Sequence, residues 1–369
     1  MHAMTTIVLS RLRHGRRLAL LPLALLAACA SQVPLNTPAL PPVPAPGAPA
    51  VPMVTTPPAP TPQQVMLRDI VSQQDRLYRV AAPLLVNNTE LCKGNARNLL
   101  GFTAKSKYSF SDELGEAAQQ LYGMDDRLQV MGVLAGSGAA RAGIRVGDKL
   151  AMVEGKPVPP GVDAERQAAT MLAPLITSGT SARLTMLRNG APVQVTVPFT
   201  RACAYSIELG NSDNVNAYND GRRVLITRGM MNFATNDSEL AYVLAKEMAH
   251  NSLNHARVQR TTGTAGAIID NLIRIRPDMA TMSGMSGMKP MPQTMDAAAD
   301  TLSLYMVARA GYDIDAAPRF WERLASQYPP SALNAYTALH PATSYRLSVM
   351  DKIIVDVKGK QARRQPLLP

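Results

Sequence analysis

SELAYVLAKEMAHNSLNHA, residues Ser238 to Ala256, is the stretch that decides the fold. Its apolar side chains recur at helical spacing at Leu240, Val243, Leu244 and Met248. That spacing predicts one amphipathic helix whose apolar face packs on a core. Asn236 or Asp237 precedes the stretch and can cap its first turn. The rest of the chain is therefore expected to pack around this helix.

The centre of the stretch, Lys246-Glu247-Met248-Ala249-His250, differs from H-E-x-x-H at its first position. In that motif two imidazoles lie one helical turn apart, with a glutamate beside them. The imidazoles bind zinc, and the glutamate activates a metal-bound water. Here a lysine occupies the first ligand position. The chemistry of the site therefore depends on what Lys246 does.

The N-terminus has the composition of a secretory leader. Basic residues precede an apolar run at residues 18–28 that is too short to span a bilayer, so residues 1–28 are predicted to be a signal peptide. The run ends in Leu26-Ala27-Ala28-Cys29, which resembles a bacterial lipobox. The resemblance implies a lipidated Cys29 as the mature N-terminus, in the periplasm. Because alanine follows Cys29, it also implies an outer-membrane anchor. The alternative is an ordinary leader with an incidental cysteine.

Residues 29–62 are crowded with proline, which predicts an extended linker rather than a packed domain. The chain carries a net charge of +11, which favours anionic surfaces such as lipid or cell wall. Nucleic acid is not expected as a partner, because the sequence has no nucleic-acid-binding motif and no aromatic stacking platform. The membrane, through the lipid anchor, is the expected neighbour.

Two further cysteines, Cys92 and Cys203, bracket a segment of the chain. In an oxidising compartment such a pair is expected to form a disulfide. Two buried free thiols are the alternative.

Residues Val133 to Val158, VLAGSGAARAGIRVGDKLAMVEGKPV, resemble a PDZ domain of the bacterial protease type. The resemblance implies that Leu100-Gly101-Phe102 is the loop whose backbone amides hold a peptide's C-terminal carboxylate. It also implies that Asp163 to Ile176 is the helix lining the groove. A peptide would then add a strand to the sheet edge. The alternative is a PDZ fold that serves only as a spacer.

Several motifs after Cys203 occur in one order: Asn216-Ala217-Tyr218, ELAYVLAKEMAHN, DAAAD at 296–300, ARAGYD at 308–313 and HPATSYR at 340–346. Together they resemble metallopeptidase family forty-eight. The resemblance implies an α+β fold: a mostly helical, gluzincin-type peptidase domain with a small β-hairpin, and an inserted, β-rich PDZ-like domain. The expected limits are 204–357 for the peptidase domain, 63–90 for its N-terminal helix, 92–203 for the PDZ-like domain and 358–369 for a basic tail.

The same resemblance implies residue roles. Glu247 matches the general base, His250 the second zinc ligand and Asp300 the aspartate that supports a histidine. Asp296 stands where the family has its third ligand, a glutamate. His340 matches a histidine that approaches the metal in some members, and Arg346 a structural arginine.

Lys246 occupies the position of the first zinc ligand and therefore argues against metal binding. A charged lysine would repel zinc and could pair with Asp296 or Asp300 instead. His255 is not expected to replace the missing ligand, because a residue five positions after His250 lies on a different helix face.

Methionines recur at every third position from Met279 to Met291. The family resemblance implies that this region is an apolar cover near the active cleft, since methionine suits adaptable contacts. A soft-metal site is the alternative. Two functions remain open. One is a zinc endopeptidase acting on unfolded or C-terminally exposed envelope proteins. The other is a catalytically inactive relative that binds or holds such proteins.

Overall fold

The computed structural model of the protein describes residues 59–92, 94–255, 291–331 and 334–369, which belong to one structural unit, Pro58–Pro369. The leader, Cys29, most of the proline-rich linker and the methionines from Met279 to Met288 lie outside these ranges. Within the ranges, no helix combines the length and apolarity that crossing a bilayer requires.

Helix α1, Pro62–Asn87, connects the two halves of the described chain. Its first turn is closed by a capping box: Gln64 N donates to Thr61 Oγ1 at 3.2 Å, and Thr61 N donates to Gln64 Oε1 at 3.0 Å. Pro62 fits the first helical position, where no backbone donor is needed. The helix expected within residues 63–90 therefore forms, and it ends at Asn87.

The segment between the cysteines is β-rich. Its largest sheet has the strand order β2-β3-β4-β6-β7, all antiparallel, with β5 paired to β4. The bounds are β2 Phe102–Lys105, β3 Gln129–Val133, β4 Lys149–Val153, β5 Lys156–Pro157, β6 Ser181–Arg188 and β7 Ala191–Pro198. A separate antiparallel pair joins β1, Ala96–Leu99, to β8, Thr200–Cys203.

Three helices accompany these strands: α2 Asp112–Tyr122, α3 Gly138–Arg141 and α4 Ala164–Ser178. Helix α2, between β2 and β3, is not anticipated by the sequence analysis. It packs on the first half of α1 through a separate apolar cluster that includes Leu67, Val71, Leu114 and Ala118. The first half of α1 therefore packs against the β-rich segment, and its second half packs in the main core.

The second half of the chain is mostly helical around a small sheet of order β10-β11-β9. Its strands are β9 Ser206–Gly210, β10 Ala217–Asn219 and β11 Arg223–Thr227. Its helices are α5 Arg228–Phe233, α6 Asp237–Ser252, α7 Gln293–Arg309, α8 Ala317–Gln327, α9 Ala335–Leu339 and α10 Ser344–Ala362. Strands β10 and β11 form the predicted hairpin, and β9 pairs with β11 in parallel. The mixture of helix and sheet is the expected α+β class.

Helix α6 corrects the expectation of an amphipathic helix with one buried face. Every residue from Glu239 to Ser252 is buried, because α1, α7, α8 and the β10–β11 hairpin enclose the helix on all sides. The helix also ends at Ser252 rather than at Ala256. Leu253 caps its C-terminus, and Asn254 adopts a left-handed backbone, φ 59°, that turns the chain away.

The expected basic tail from residue 358 is helical as far as Ala362. Ion pairs from Lys358 to Asp315 and from Lys360 to Asp356 explain why the helix continues. The following residues fold back, since Lys360 Nζ donates to the carbonyl of Leu368 at 2.7 Å and Leu367 packs against the main core.

Candidate functional site

The candidate site lies at the centre of α6, where Lys246 is completely buried. Asn236 Oδ1 accepts a hydrogen bond from Glu239 N at 3.0 Å and caps the helix, which fixes its start and the register of its later residues. Helix α7 runs beside α6 and contributes Asp296 and Asp300, four residues apart and thus on one face. The two helices bring lysine and both aspartates together.

Lys246 pairs with both carboxylates. Its Nζ lies 2.7 Å from Asp300 Oδ1 and 3.1 Å from Asp296 Oδ1, and it stands 5.4 Å from the ring centroid of Trp321. All three partners are buried. Two carboxylates and an aromatic face therefore surround the buried Lys246 Nζ.

Arg346, at the start of α10, completes the cluster. Its Nε and NH2 donate to Asp300 at 2.6 and 2.9 Å, and its NH1 donates to the carbonyls of His340 and Pro341. Lys246 and Arg346 supply two positive charges, and Asp296 and Asp300 supply two negative charges. The charges of these four side chains therefore balance without any further ion.

The charges are reflected in the pKa values of the aspartates. Burial alone would raise the pKa of Asp300, but the charges of Lys246 and Arg346 outweigh burial and hold it below its ordinary value. Burial acts in the same direction on Asp296, but Lys246 first, and then the neighbouring His340 and His250, outweigh burial and again lower the pKa. Both carboxyl groups therefore stay ionised at neutral pH.

Three histidines lie around Asp296. His340 Nδ1 lies 2.7 Å and His250 Nε2 lies 3.3 Å from Asp296 Oδ1. His250 Nδ1 contacts His255 Nδ1 at 2.9 Å. His255 is not an expected ligand, for the reason that position 255 would lie on another helix face from His250 if the helix continued. That reason is wrong, because α6 has ended by Ser252 and the turn at Asn254 returns His255 to His250.

Glu247, the expected base, is fully buried and both of its carboxylate oxygens accept hydrogen bonds. Asn219 Nδ2 donates to Oε2 at 2.6 Å, and Tyr336 OH donates to Oε1 at 3.0 Å. Burial first, and then the charge of Glu247, raise the pKa of Tyr336 well above its usual value. Sequence reasoning missed the roles of Asn219 and Tyr336, because only tertiary packing brings them to Glu247.

His250, Asp296 and His340 each offer a ligand atom, and these atoms lie within 4.8 Å of one another. Three such residues could hold a metal ion. Ligands of one tetrahedral zinc, each about 2.0–2.1 Å from the ion, are about 3.3 Å apart. The His250–Asp296 distance of 3.3 Å suits that geometry, but His340 Nδ1 lies 2.7 Å from the same oxygen, which is a hydrogen-bond distance and shorter than the spacing of two ligand atoms on one zinc. With the Lys246 ammonium also 3.1 Å from that oxygen, the residues as arranged do not fit zinc.

The other expected site residues lie in the β-rich segment. Cys92 and Cys203 form a disulfide with Cα atoms 5.7 Å apart. Gly101 joins β1 to β2 with φ 89°, and its carbonyl accepts from Leu134 N at 2.8 Å. An added Cβ at Gly101 would lie 2.5 Å from Ser137 Cβ, so the turn requires glycine. The neighbours Leu100 and Phe102 are buried in the core beneath this turn.

Comparison with known proteins places the site within one family match. Residues 182–354 match the family described as "Peptidase family M48". The mitochondrial metalloendopeptidase OMA1 of Arabidopsis thaliana is 27% identical over 171 residues, 44% of this chain and 35% of that protein. The beta-barrel assembly-enhancing protease of Yersinia pestis is 30% identical over 161 residues, 38% of this chain and 32% of that protein. The beta-barrel assembly-enhancing protease of Escherichia coli (strain K12) is 29% identical over 181 residues, which are 43% of this chain and 35% of that protein.

The chain spans about a third of the length of these curated relatives. Among solved structures, an HtrA-type protease AlgW with decapeptide is 22% identical and covers 29% of this chain and 30% of that chain, with a TM-score of 0.21. That score is too low to support an argument about fold. The family match at residues 182–354 contains the whole buried cluster around Lys246, together with Glu247 and its two hydrogen-bond donors.

Proposed function

We propose, starting from the peptidase family M48 region at residues 182–354, that this chain is an envelope lipoprotein that binds unfolded polypeptides without zinc-dependent cleavage. The relatives named above are proteases, which supports a role in handling other proteins. Lipidation of Cys29 would anchor the chain to the outer membrane, and unfolded or C-terminally exposed envelope proteins would be its partners.

The observation that carries the proposal is the position of the Lys246 ammonium. It lies 3.1 Å from Asp296, the residue that the resemblance puts at the third-ligand position, and 2.7 Å from Asp300. The lysine neutralises Asp296, the carboxylate that would otherwise be available to bind a metal. Deprotonating it to free a ligand would leave both aspartates without that charge, at a cost that grows with burial.

The β-rich segment supports the binding half of the proposal. Strand β2 follows the Leu100-Gly101-Phe102 turn and lies at one edge of the described sheet order. We assign this edge to a PDZ-like module that takes up the C-terminal end of a partner chain as an added strand. Helix α4 is the helix that this assignment places along the groove.

A second candidate function is a zinc metallopeptidase whose ligands are His250, Asp296 and His340, with Glu247 as base. The proximity of the three ligand atoms favours it. It would require Lys246 to leave Asp296 and His340 to lose its hydrogen bond to the same carboxylate. When bound, zinc would supply a Lewis acid and an activated water.

Metal analysis separates the two candidates. We expect protein purified without chelators to hold no stoichiometric zinc, and the double variant Lys246→His, Asp296→Glu to hold one zinc per chain. Lys246→Met is the matched control, since it removes the ammonium without adding an imidazole. Zinc in Lys246→Met but not in the wild type would identify the ammonium as the block, in agreement with the proposal. Stoichiometric zinc in the wild type, with proteolysis lost in Glu247→Gln, would overturn it.

A further inference from the structure

Glu247 and Asn251 lie one turn apart on α6, on the side that faces the β10–β11 hairpin. Glu247 accepts from Asn219, the last residue of β10, at 2.6 Å. Asn251 Oδ1 accepts from Gly221 N at 2.6 Å, in the hairpin turn, and Asn251 Nδ2 donates to the carbonyl of Arg223 at 3.0 Å. Three hydrogen bonds from two neighbouring side chains thus hold the end of one strand, the turn and the start of the next.

We propose that Glu247 and Asn251 form a hairpin clamp, and that Glu247 acts in this chain as a positioning residue for β10 rather than as a general base. Glu247 Oε1 is held in turn by Tyr336 OH at 3.0 Å, which fixes the carboxylate from the side of α9. The clamp therefore joins the hairpin, α6 and α9 through one carboxylate.

The burial of Glu247 argues in the same direction. Its side chain has no exposed surface, and each carboxylate oxygen already accepts a hydrogen bond from the protein. A general base must reach the proton that it removes from a water or substrate. In the clamp, the carboxylate of Glu247 instead accepts hydrogen bonds from the Asn219 amide and the Tyr336 phenol.

The clamp fixes β10, which is an edge strand of its sheet. Strand β10 stands at the end of the order β10-β11-β9, so its outer side has no strand partner in the part of the chain that the structure describes. An extended polypeptide can pair with such an edge only where the edge is ordered. This step rests on the proposed function, since it takes the bound chain to be an unfolded polypeptide.

A swap of hydrogen-bonding groups tests the clamp. In Glu247→Gln, one side-chain oxygen remains for the two donors Asn219 Nδ2 and Tyr336 OH, and it carries no full charge, so the hydrogen bond from Asn219 loses either its acceptor or the negative charge on that acceptor. Adding Asn219→Asp restores the bond in reverse, because the introduced glutamine amide can donate to the introduced carboxylate while the glutamine carbonyl still accepts from Tyr336. If Glu247 were a general base, the double variant would not recover its function, because the carboxylate would then be at position 219 instead of position 247. Glu239→Gln is the matched control, because Glu239 lies on the same helix but bonds Thr235 and Arg323 instead.

Two readouts are measured on the full chain. Hydrogen exchange is followed in peptides that cover residues 212–227, and binding is measured with dye-labelled β-casein as an unfolded probe. We expect Glu247→Gln to speed hairpin exchange about tenfold or more, the effect of losing a hydrogen bond to a charged group. We expect the double variant to return exchange and β-casein affinity to wild-type values, and Glu239→Gln to leave both unchanged.

The outcomes are distinct. Unchanged hairpin exchange in Glu247→Gln, or no recovery on adding Asn219→Asp, would overturn the clamp. Recovery of exchange in the double variant would support it whether or not β-casein binds. Failure of the wild type to bind β-casein would count against the proposed function, while the exchange data would still decide the clamp.

Discussion

Lys246 Nζ lies 2.7 Å from Asp300 Oδ1, and neither side chain is accessible to solvent. Removing two charges from water is costly, so a pair of this kind adds little net stability compared with apolar residues of the same size. Removing one partner alone is different, because the other charge then stays buried without compensation. Loss of Lys246 is therefore expected to cost more folding stability than the intact pair contributes.

Lys246→Ala should destabilise the protein by about 3–5 kcal/mol, the cost of leaving a buried charge unpaired. The loss falls mainly on Asp296, because Arg346 keeps its two hydrogen bonds to Asp300. Denaturant unfolding measures the change. Lys149→Ala, which breaks a partly exposed pair with Asp125, is the control and should cost less than about 1 kcal/mol. Equal losses in the two variants would contradict a buried pair at Lys246.

The stability gap between wild type and Lys246→Ala should narrow as pH falls below about 4. In the wild type the folded-state pKa values of Asp296 and Asp300 are lowered, so their contribution is present above the unfolded value and is lost as pH falls. Without the lysine charge, the pKa values of both aspartates lie higher than in the wild type, so the variant loses less stability as pH falls. Unfolding free energies at neutral and acidic pH test this. A gap that widens in acid would show that the lysine does not control the aspartates.

Replacing Cys92 and Cys203 together with alanine should lower stability by up to about 4–5 kcal/mol in the chain-entropy model. The disulfide closes a loop with a sequence separation of 111 residues and lies in the main core. Denaturant unfolding of the oxidised protein and the double variant gives the difference. Peptide mapping that finds both thiols free in protein made in an oxidising compartment would refute the pairing.

The β2 edge should bind apolar C-terminal peptides through strand addition and capture of the terminal carboxylate near Gly101. Amidation of the peptide C-terminus should then weaken binding, since it removes the charge that backbone amides would hold. Fluorescence anisotropy with a matched pair of free and amidated peptides measures the effect. Equal affinity for the two peptides would argue against carboxylate capture at this turn.

Much of the fold follows from local pattern. The apolar spacing at Leu240, Val243 and Leu244 predicts α6, and Asp220-Gly221 predicts the β10–β11 turn. Helix α1, expected from residue 63, begins one residue earlier, at Pro62. These signals lie within a few residues of the structure that they specify, so the sequence alone is sufficient to find them.

The features that the sequence does not predict depend on contacts between distant segments. Asn219 and Tyr336 reach Glu247 only after the hairpin, α6 and α9 have packed, and neither residue type is distinctive by itself. The burial of α6 on all sides likewise comes from four neighbouring elements rather than from its own pattern. The position of His255 depends on the left-handed backbone of Asn254, which helical spacing alone does not predict.

The protein contains a single tryptophan, and its ring lies over both cations of the buried cluster, 5.4 Å from Lys246 Nζ and 5.9 Å from Arg346 Cζ. Indole emission responds to nearby charge, so Trp321 is an intrinsic fluorescent probe of the buried cluster around Lys246. Excitation of Trp321 reads this cluster alone, with no label to attach and no background from a second indole. Any event that shifts the ammonium, whether metal entry, acid or a bound polypeptide, becomes visible in the intrinsic spectrum of the unmodified protein.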